Sequence, residues 1–201
     1  AQKAITNMRA VIDDPTTLAM IGLSASNRAK TVFDALGKEI RDSAIPFLSN
    51  ISVNSIFQDY PNVFTTQASQ DDERLPVMTS FIRHMNFARP AFIGLRDIVF
   101  SSALGDGLKE MLEGGLVSDH RLHARGDGVD TAEVAAAISE LKEKEADLLV
   151  LAVGTNRAAA VMKEMMAAGF TPGLFITGRI DALPTEIAHA YSNAVYQLAW
   201  D

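Results

Sequence analysis

The chain has no cysteine among its 201 residues, which excludes disulfides, thiol catalysis and cysteine metal sites. That absence does not select a cellular compartment. No apolar run approaches the roughly 20 residues needed to cross a bilayer, so direct membrane insertion is not expected. Basic charge is not in excess either. A net charge of −7 and a pI near 5.1 argue against nucleic acid and against anionic membrane surfaces, which both favour basic patches. The opening residues, Ala1-Gln2-Lys3-Ala4-Ile5, have no signal-peptide pattern. A leader, if the protein is exported, is therefore expected to lie outside this sequence.

Several catalytic signatures are also missing. No Gly-x-Gly-x-x-Gly follows a strand, and Gly94, Gly105 and Gly107 have the wrong spacing for a dinucleotide. There is no Gly-Lys-Ser/Thr phosphate loop and no Gly-x-Ser-x-Gly elbow. An enzyme using Ser24, Ser49 or Ser101 would need a histidine base nearby. His84, His120, His123 and His189 fall instead on predicted helix or strand faces. His120 and His123 have no obvious third ligand, so no metal and no cofactor is expected. Asp71-Asp72-Glu73 resembles a carboxylate pair but sits in a first helical turn, where acids suit the helix dipole.

What is present is ordinary globular composition, 48% hydrophobic and 21% charged, with a regular alternation of elements. Helical spacing is predicted over 1–13, 27–42, 71–86, 102–113, 131–145, 155–168 and about 184–191. Apolar strands are predicted near 18–22, 45–48, 63–65, 91–95, 117–123, 147–153, 174–177 and 194–200. The run from Leu148 to Val153 is apolar throughout, as in a strand covered on both faces. Met162, Met165 and Met166 have the spacing of core packing, and Trp200 reads as packing or as the floor of a cleft. Such alternation implies an α/β fold with parallel sheets, right-handed crossovers and helices on both faces.

The organising stretch is Ala19-Met20-Ile21-Gly22-Leu23-Ser24-Ala25-Ser26-Asn27. It reads as a short buried strand running into small polar residues that start a helix. The unpaired N–H groups of a helix start suit a carboxylate or another anion, although the same residues serve equally as a plain cap. In open parallel sheets, ligands sit outside the carboxyl ends of the strands. That rule selects Ser24–Asn27, Ser49–Ser52, Arg96–Ser102, Gly154–Arg157 and Gly178–Asp181, loops rich in hydroxyls, amides and arginine.

The order and spacing of these segments resemble the type I periplasmic binding fold, specifically branched-chain amino-acid-binding receptors of ABC transporters. The resemblance is carried by Ala19–Ser26, Ile45-Pro46-Phe47-Leu48-Ser49, Val63–Asp71, Ala91–Leu95, Asp147–Val153 and Met165–Phe170. It covers essentially the whole chain and rests on the ordered set of segments. It implies two Rossmann-like lobes, in an incomplete copy of the fold: residues 1–66 in lobe one, 67–198 in lobe two, and 199–201 beginning a return crossover.

By that resemblance, Ser24, Ala25 and Ser26 with Ser49, Asn50, Ile51 and Ser52 hold a ligand carboxylate. Phe100 stands where relatives often have a covering tyrosine, and Gly154 and Thr155 join the candidate site by the strand-end rule. Relatives that bind amino acids commonly place an acid near Gly178-Arg179. Here Arg179 stands instead, facing the ligand or paired with Asp181. The implied function is periplasmic capture of a small carboxylate ligand, by hinge closure and without catalysis, for delivery to a membrane permease. A sensing domain fused to a signalling module is the alternative. The ligand expected is an acid without a free ammonium, or one with a second acidic group.

Overall fold

The computed structural model describes residues 2–198. The chain forms two compact units that divide between Arg74 and Leu75. The first contains helix α1 (Gln2–Asp13), strand β1 (Met20–Gly22), α2 (Ser26–Ser43), β2 (Phe47–Ser49) and β3 (Val63–Thr65). Its three strands are parallel and ordered β1-β2-β3. Short 3-10 and π-helical turns at Asn54–Ile56 and Gln70–Arg74 complete it.

Helix α2 forms because its apolar residues make one stripe: Ala29, Val32, Phe33, Leu36 and Ile40 are buried. The opposite side carries the pairs Lys30–Asp34 and Lys38–Asp42, spaced four residues apart. Phe33 stacks on Phe47 of β2 with ring centroids 5.9 Å apart, so the stripe packs on one face of the sheet. The other face is different. Ile21, Leu48 and Phe64 pair across the three strands in one row and are 84%, 37% and 54% exposed. The sequence reads β1 as a buried strand, and the structure corrects this. β1 is the outer strand of a sheet whose helices cover only one side, so its apolar residues meet solvent.

The second unit contains α3 (Leu75–His84), β4 (Pro90–Leu95), α4 (Val99–Met111), β5 (Ser118–Leu122), α5 (Thr131–Glu143), β8 (Leu148–Ala152), α6 (Thr155–Ala167), β9 (Gly173–Ile176), α7 (Thr185–Ala190) and β10 (Val195–Gln197). Between β5 and α5, Gly126 and Asp127 turn a small antiparallel hairpin, β6 (Ala124–Arg125) and β7 (Gly128–Val129). The main sheet is parallel and ordered β10-β9-β8-β4-β5.

Here both faces are covered, which explains the uninterrupted apolar run of β8. Leu149, Leu151 and Val153 join Val134, Ile138, Val161 and Met162 in one buried layer. Leu148, Val150 and Ala152 join Met78, Ile82, Leu104 and Leu108 in the other. Each such side chain contributes about 1.5–3 kcal/mol by leaving water. Asp130 starts α5 by accepting from the backbone N–H groups of Ala132 and Glu133. Gly169, at φ 61°, closes α6 in the left-handed conformation. No helix among the described residues is long and apolar enough to cross a membrane. Trp200 and the crossover expected at 199–201 lie outside the described residues.

Candidate functional site

In the first unit the three parallel strands bring three loops to one edge of the sheet. Gly22 pairs with Ser49, and Ser49 with Thr65, so the chain leaves each strand at the same level. The Ser49 hydroxyl donates to the Leu23 carbonyl at 3.4 Å, tying the first two loops together. Thr66 N–H donates to the Ser49 carbonyl at 2.9 Å, and the Thr65 hydroxyl to the Ile51 carbonyl. Ile51 and Ser52 are thereby buried, and Asn50 stays exposed.

Leu23 adopts φ 56°, a left-handed conformation that costs a non-glycine residue about 1–2 kcal/mol. The turn aims the chain from β1 into α2, whose N-cap is Ala25. Ala25 has no side chain to cap the helix, and no side-chain cap bond is made there. The first-turn N–H groups of an 18-residue helix thus lie beside exposed Ser24 and half-buried Ser26. This is a cradle of partial positive charge. Thr65 and Thr66, which hold the second loop in shape, are absent from the sequence-derived residues. Their position at the end of an apolar strand is the signal that finds them.

In the second unit, β8 and β9 are neighbours, so Gly154-Thr155 and Gly178-Arg179 leave adjacent strand ends. Arg179 N–H donates to the Thr155 hydroxyl at 3.1 Å. A Cβ on Gly178 would lie 2.6 Å from that hydroxyl oxygen, so only glycine allows the approach. Gly154, at φ 79°, opens α6. The Arg179 side chain turns to Asp181, donating from Nε to Oδ1 at 3.0 Å and from Nη2 to Oδ2. The hydrogen bonds to the guanidinium lower the Asp181 pKa below the usual carboxylate value, and Asp181 raises that of Arg179. Phe100 lies in the first turn of α4, half-buried against the Phe92 and Leu104 layer. Arg157, in the first turn of α6, donates to the carbonyls of Gly126 and Gly128 and pins the β6–β7 hairpin beside the Thr155 loop.

Several side chains with catalytic potential take part in holding the fold. Ser101 is fully buried, accepting from Leu95 N–H at 2.7 Å and donating to the Ala152 carbonyl at 2.8 Å. His123 Nδ1 meets Glu133. His120 lies 3.0 Å from the Ser118 hydroxyl, which donates to Glu140 at 2.7 Å. The serine thus points at the carboxylate, and His120 Nε2 also lies 3.4 Å from Glu140 Oε2. Asp72 and Glu73 cap a helical start, accepting from Asn54 Nδ2 and Ser69 N–H at 2.6 and 2.9 Å. Among the described residues, no group of three or more carboxylate or histidine side chains could hold a metal ion.

Comparison with known proteins agrees with this architecture. The family model for periplasmic binding proteins matches residues 1–199, while no curated protein sequence matches. A substrate-binding protein of an ABC transporter from Aeropyrum pernix aligns with TM-score 0.73 and 13% identity, over 98% of this chain and 50% of that one. The branched-chain amino acid substrate-binding protein LivJ from Streptococcus pneumoniae, in complex with isoleucine, gives TM-score 0.71 and 13% identity over 98% and 55%. A solute-binding protein from Rhodopseudomonas palustris, in complex with 3,4-dihydroxybenzoic acid, gives 0.68 and 12% over 92% and 51%. The chain spans about half the length of these solved relatives. Its parallel, helix-covered architecture is the type I periplasmic binding fold, and the chain belongs to the periplasmic binding protein family.

Proposed function

We propose that this chain is part of an extracytoplasmic substrate-binding protein of an ABC importer, acting without catalysis in the periplasm. It captures a small carboxylate-bearing ligand by hinge closure and delivers it to a membrane permease. The observation that carries this reading is the start of α2, where an uncapped helix N-terminus lies beside Ser24 and Ser26 and is tied to the Ser49–Ser52 loop. Backbone N–H groups and hydroxyls together suit a carboxylate.

The relative solved with isoleucine and the one solved with 3,4-dihydroxybenzoic acid hold ligands that share a carboxylate and differ in the ammonium. On the second unit, the acid nearest the end of β9 is Asp181, and Arg179 already engages it. An ammonium arriving there meets no unopposed carboxylate. We therefore favour an acid lacking a free ammonium, an aromatic or keto acid, over a simple amino acid, with Phe100 supplying an apolar ring. Calorimetric titration with leucine, isoleucine, 3,4-dihydroxybenzoate, and keto and dicarboxylic acids tests this. Binding of an acid without an ammonium, tighter than leucine, supports it. Tight leucine binding with no acid binding overturns it.

A further inference from the structure

Arg121 lies on β5, an outer strand of the second unit's sheet, yet its side chain is only 18% exposed. The guanidinium sits over the Phe92 ring of β4, 4.8 Å from the centroid. Gly105 of α4 makes the room, since a Cβ there would lie 2.3 Å from Nη2. A cation placed this deep needs its donors satisfied. Asp119, on the same face of β5, takes two of them, from Nε at 2.5 Å and from Nη2 at 2.9 Å.

The other bonds of the guanidinium go to α4. Nη1 donates to the Ser102 carbonyl and Nη2 to Asp106 Oδ1, each at 3.0 Å. Ser102 and Asp106 are four residues apart and therefore share one helix face. The Arg121 carbonyl in turn accepts from Arg96 Nη2 at 3.1 Å, and the Ser102 hydroxyl donates to the Arg96 carbonyl at 3.2 Å. One residue of β5 thus holds both ends of the loop Arg96–Ser102 and the first two turns of α4. That stretch carries Phe100, whose ring packs against the buried layer containing Phe92. Only the planar fork of an arginine serves two carboxylates and a carbonyl together; a lysine ammonium in its place does not.

We propose that Arg121 is the positioning residue for Phe100 and, through it, sets the preference of the site for ring-bearing acids. It fixes α4 against β5, so the Phe100 ring is presented in one place. The ligand step rests on the proposed function above; the anchoring of Phe100 does not.

Two substitutions in the full 201-residue chain test it. Asp106 is 74% exposed, so Asp106→Asn removes one anchor with little risk to the fold. Arg121→Lys keeps the charge and loses the fork. Binding of 3,4-dihydroxybenzoate should weaken about threefold in Asp106→Asn and about tenfold in Arg121→Lys. Binding of α-ketoisocaproate, an acid without a ring, should stay within about twofold. The double variant Phe100→Ala with Asp106→Asn should bind 3,4-dihydroxybenzoate as Phe100→Ala alone does. Additive losses, or equal losses for the two acids, overturn the proposal. Fluorine NMR of protein labelled with para-fluorophenylalanine needs no ligand. The Phe100 signal, assigned by its loss in Phe100→Leu, should move or broaden in both anchor variants. An unmoved signal overturns the anchoring. Failure of both acids to bind the wild type contradicts the proposed function instead, and the fluorine signal then decides whether Arg121 positions Phe100.

Discussion

Asp181 holds the Arg179 guanidinium with both carboxylate oxygens, Nε to Oδ1 at 3.0 Å and Nη2 to Oδ2. The pair is exposed, so it adds little to stability, and under the proposed function its part is in selectivity. Arg179→Ala frees Asp181 to meet an ammonium and should strengthen isoleucine binding by about threefold. Asp181→Asn frees Arg179 and should favour dicarboxylic acids by a similar factor. Calorimetry on both variants checks the two directions together.

Ser101 bridges two strand ends inside the second unit, from Leu95 N–H to the Ala152 carbonyl. Ser101→Ala leaves two buried backbone groups unpaired and should cost about 2 kcal/mol. Denaturant unfolding measures the loss. The opposing view, a catalytic Ser101, requires turnover of a bound ester or amide that disappears in the same variant.

Gly178 gives the Thr155 hydroxyl its room. Gly178→Ala forces the loop after β9 away from α6 and breaks the bond from Arg179 N–H to Thr155. We expect about 1–2 kcal/mol of lost stability together with a several-fold loss of ligand affinity. Unchanged affinity would place this loop outside the site.

Glu140 receives hydrogen bonds from Lys144 and Ser118, each at 2.7 Å, which hold its pKa at about 2. A carboxylate with a depressed folded-state pKa contributes stability above its ordinary value near 4.5, and loses it as pH falls towards the folded value. The stability of the wild type should therefore drop between about pH 4.5 and 2, and Glu140→Gln should flatten that part of the profile. Thermal melts across this range check the sign.

The row Ile21–Leu48–Phe64 leaves an apolar face in contact with water. The chain of 201 residues should accordingly bind a hydrophobic dye such as ANS. Ile21→Thr with Phe64→Thr should reduce that fluorescence without lowering the melting temperature. Dye binding equal to that of the double variant would contradict the exposed row.

Most of the fold was legible in the sequence because its signals are local. The helical stripe Val32, Phe33, Leu36 and Ile40 and the apolar run Leu148–Val153 each identify an element and its buried side. What the sequence hid depends on neighbours. Ile21 reads as a core residue, since nothing local records that β1 is an outer strand with one bare face. The Gly126–Gly128 hairpin and the π turn at Gln70–Arg74 were missed for another reason. Both depend on single backbone features, the positive φ of Gly126 and the missing N–H of Pro76. The loops selected by the rule for parallel sheets do follow the ends of β1, β2, β4, β8 and β9. The Arg179–Asp181 pair follows from their spacing, but the Thr155–Arg179 contact joins residues from neighbouring strands that no local pattern links.

The central claim is that the loops after β1 and β2 grip a carboxylate. The most direct measurement is a titration of 3,4-dihydroxybenzoate followed by backbone amide chemical shifts. The account predicts saturable shifts at Ser24 to Asn27 and at Asn50 to Ser52, with one shared dissociation constant. Saturable binding that leaves both sets of amides unmoved would contradict it.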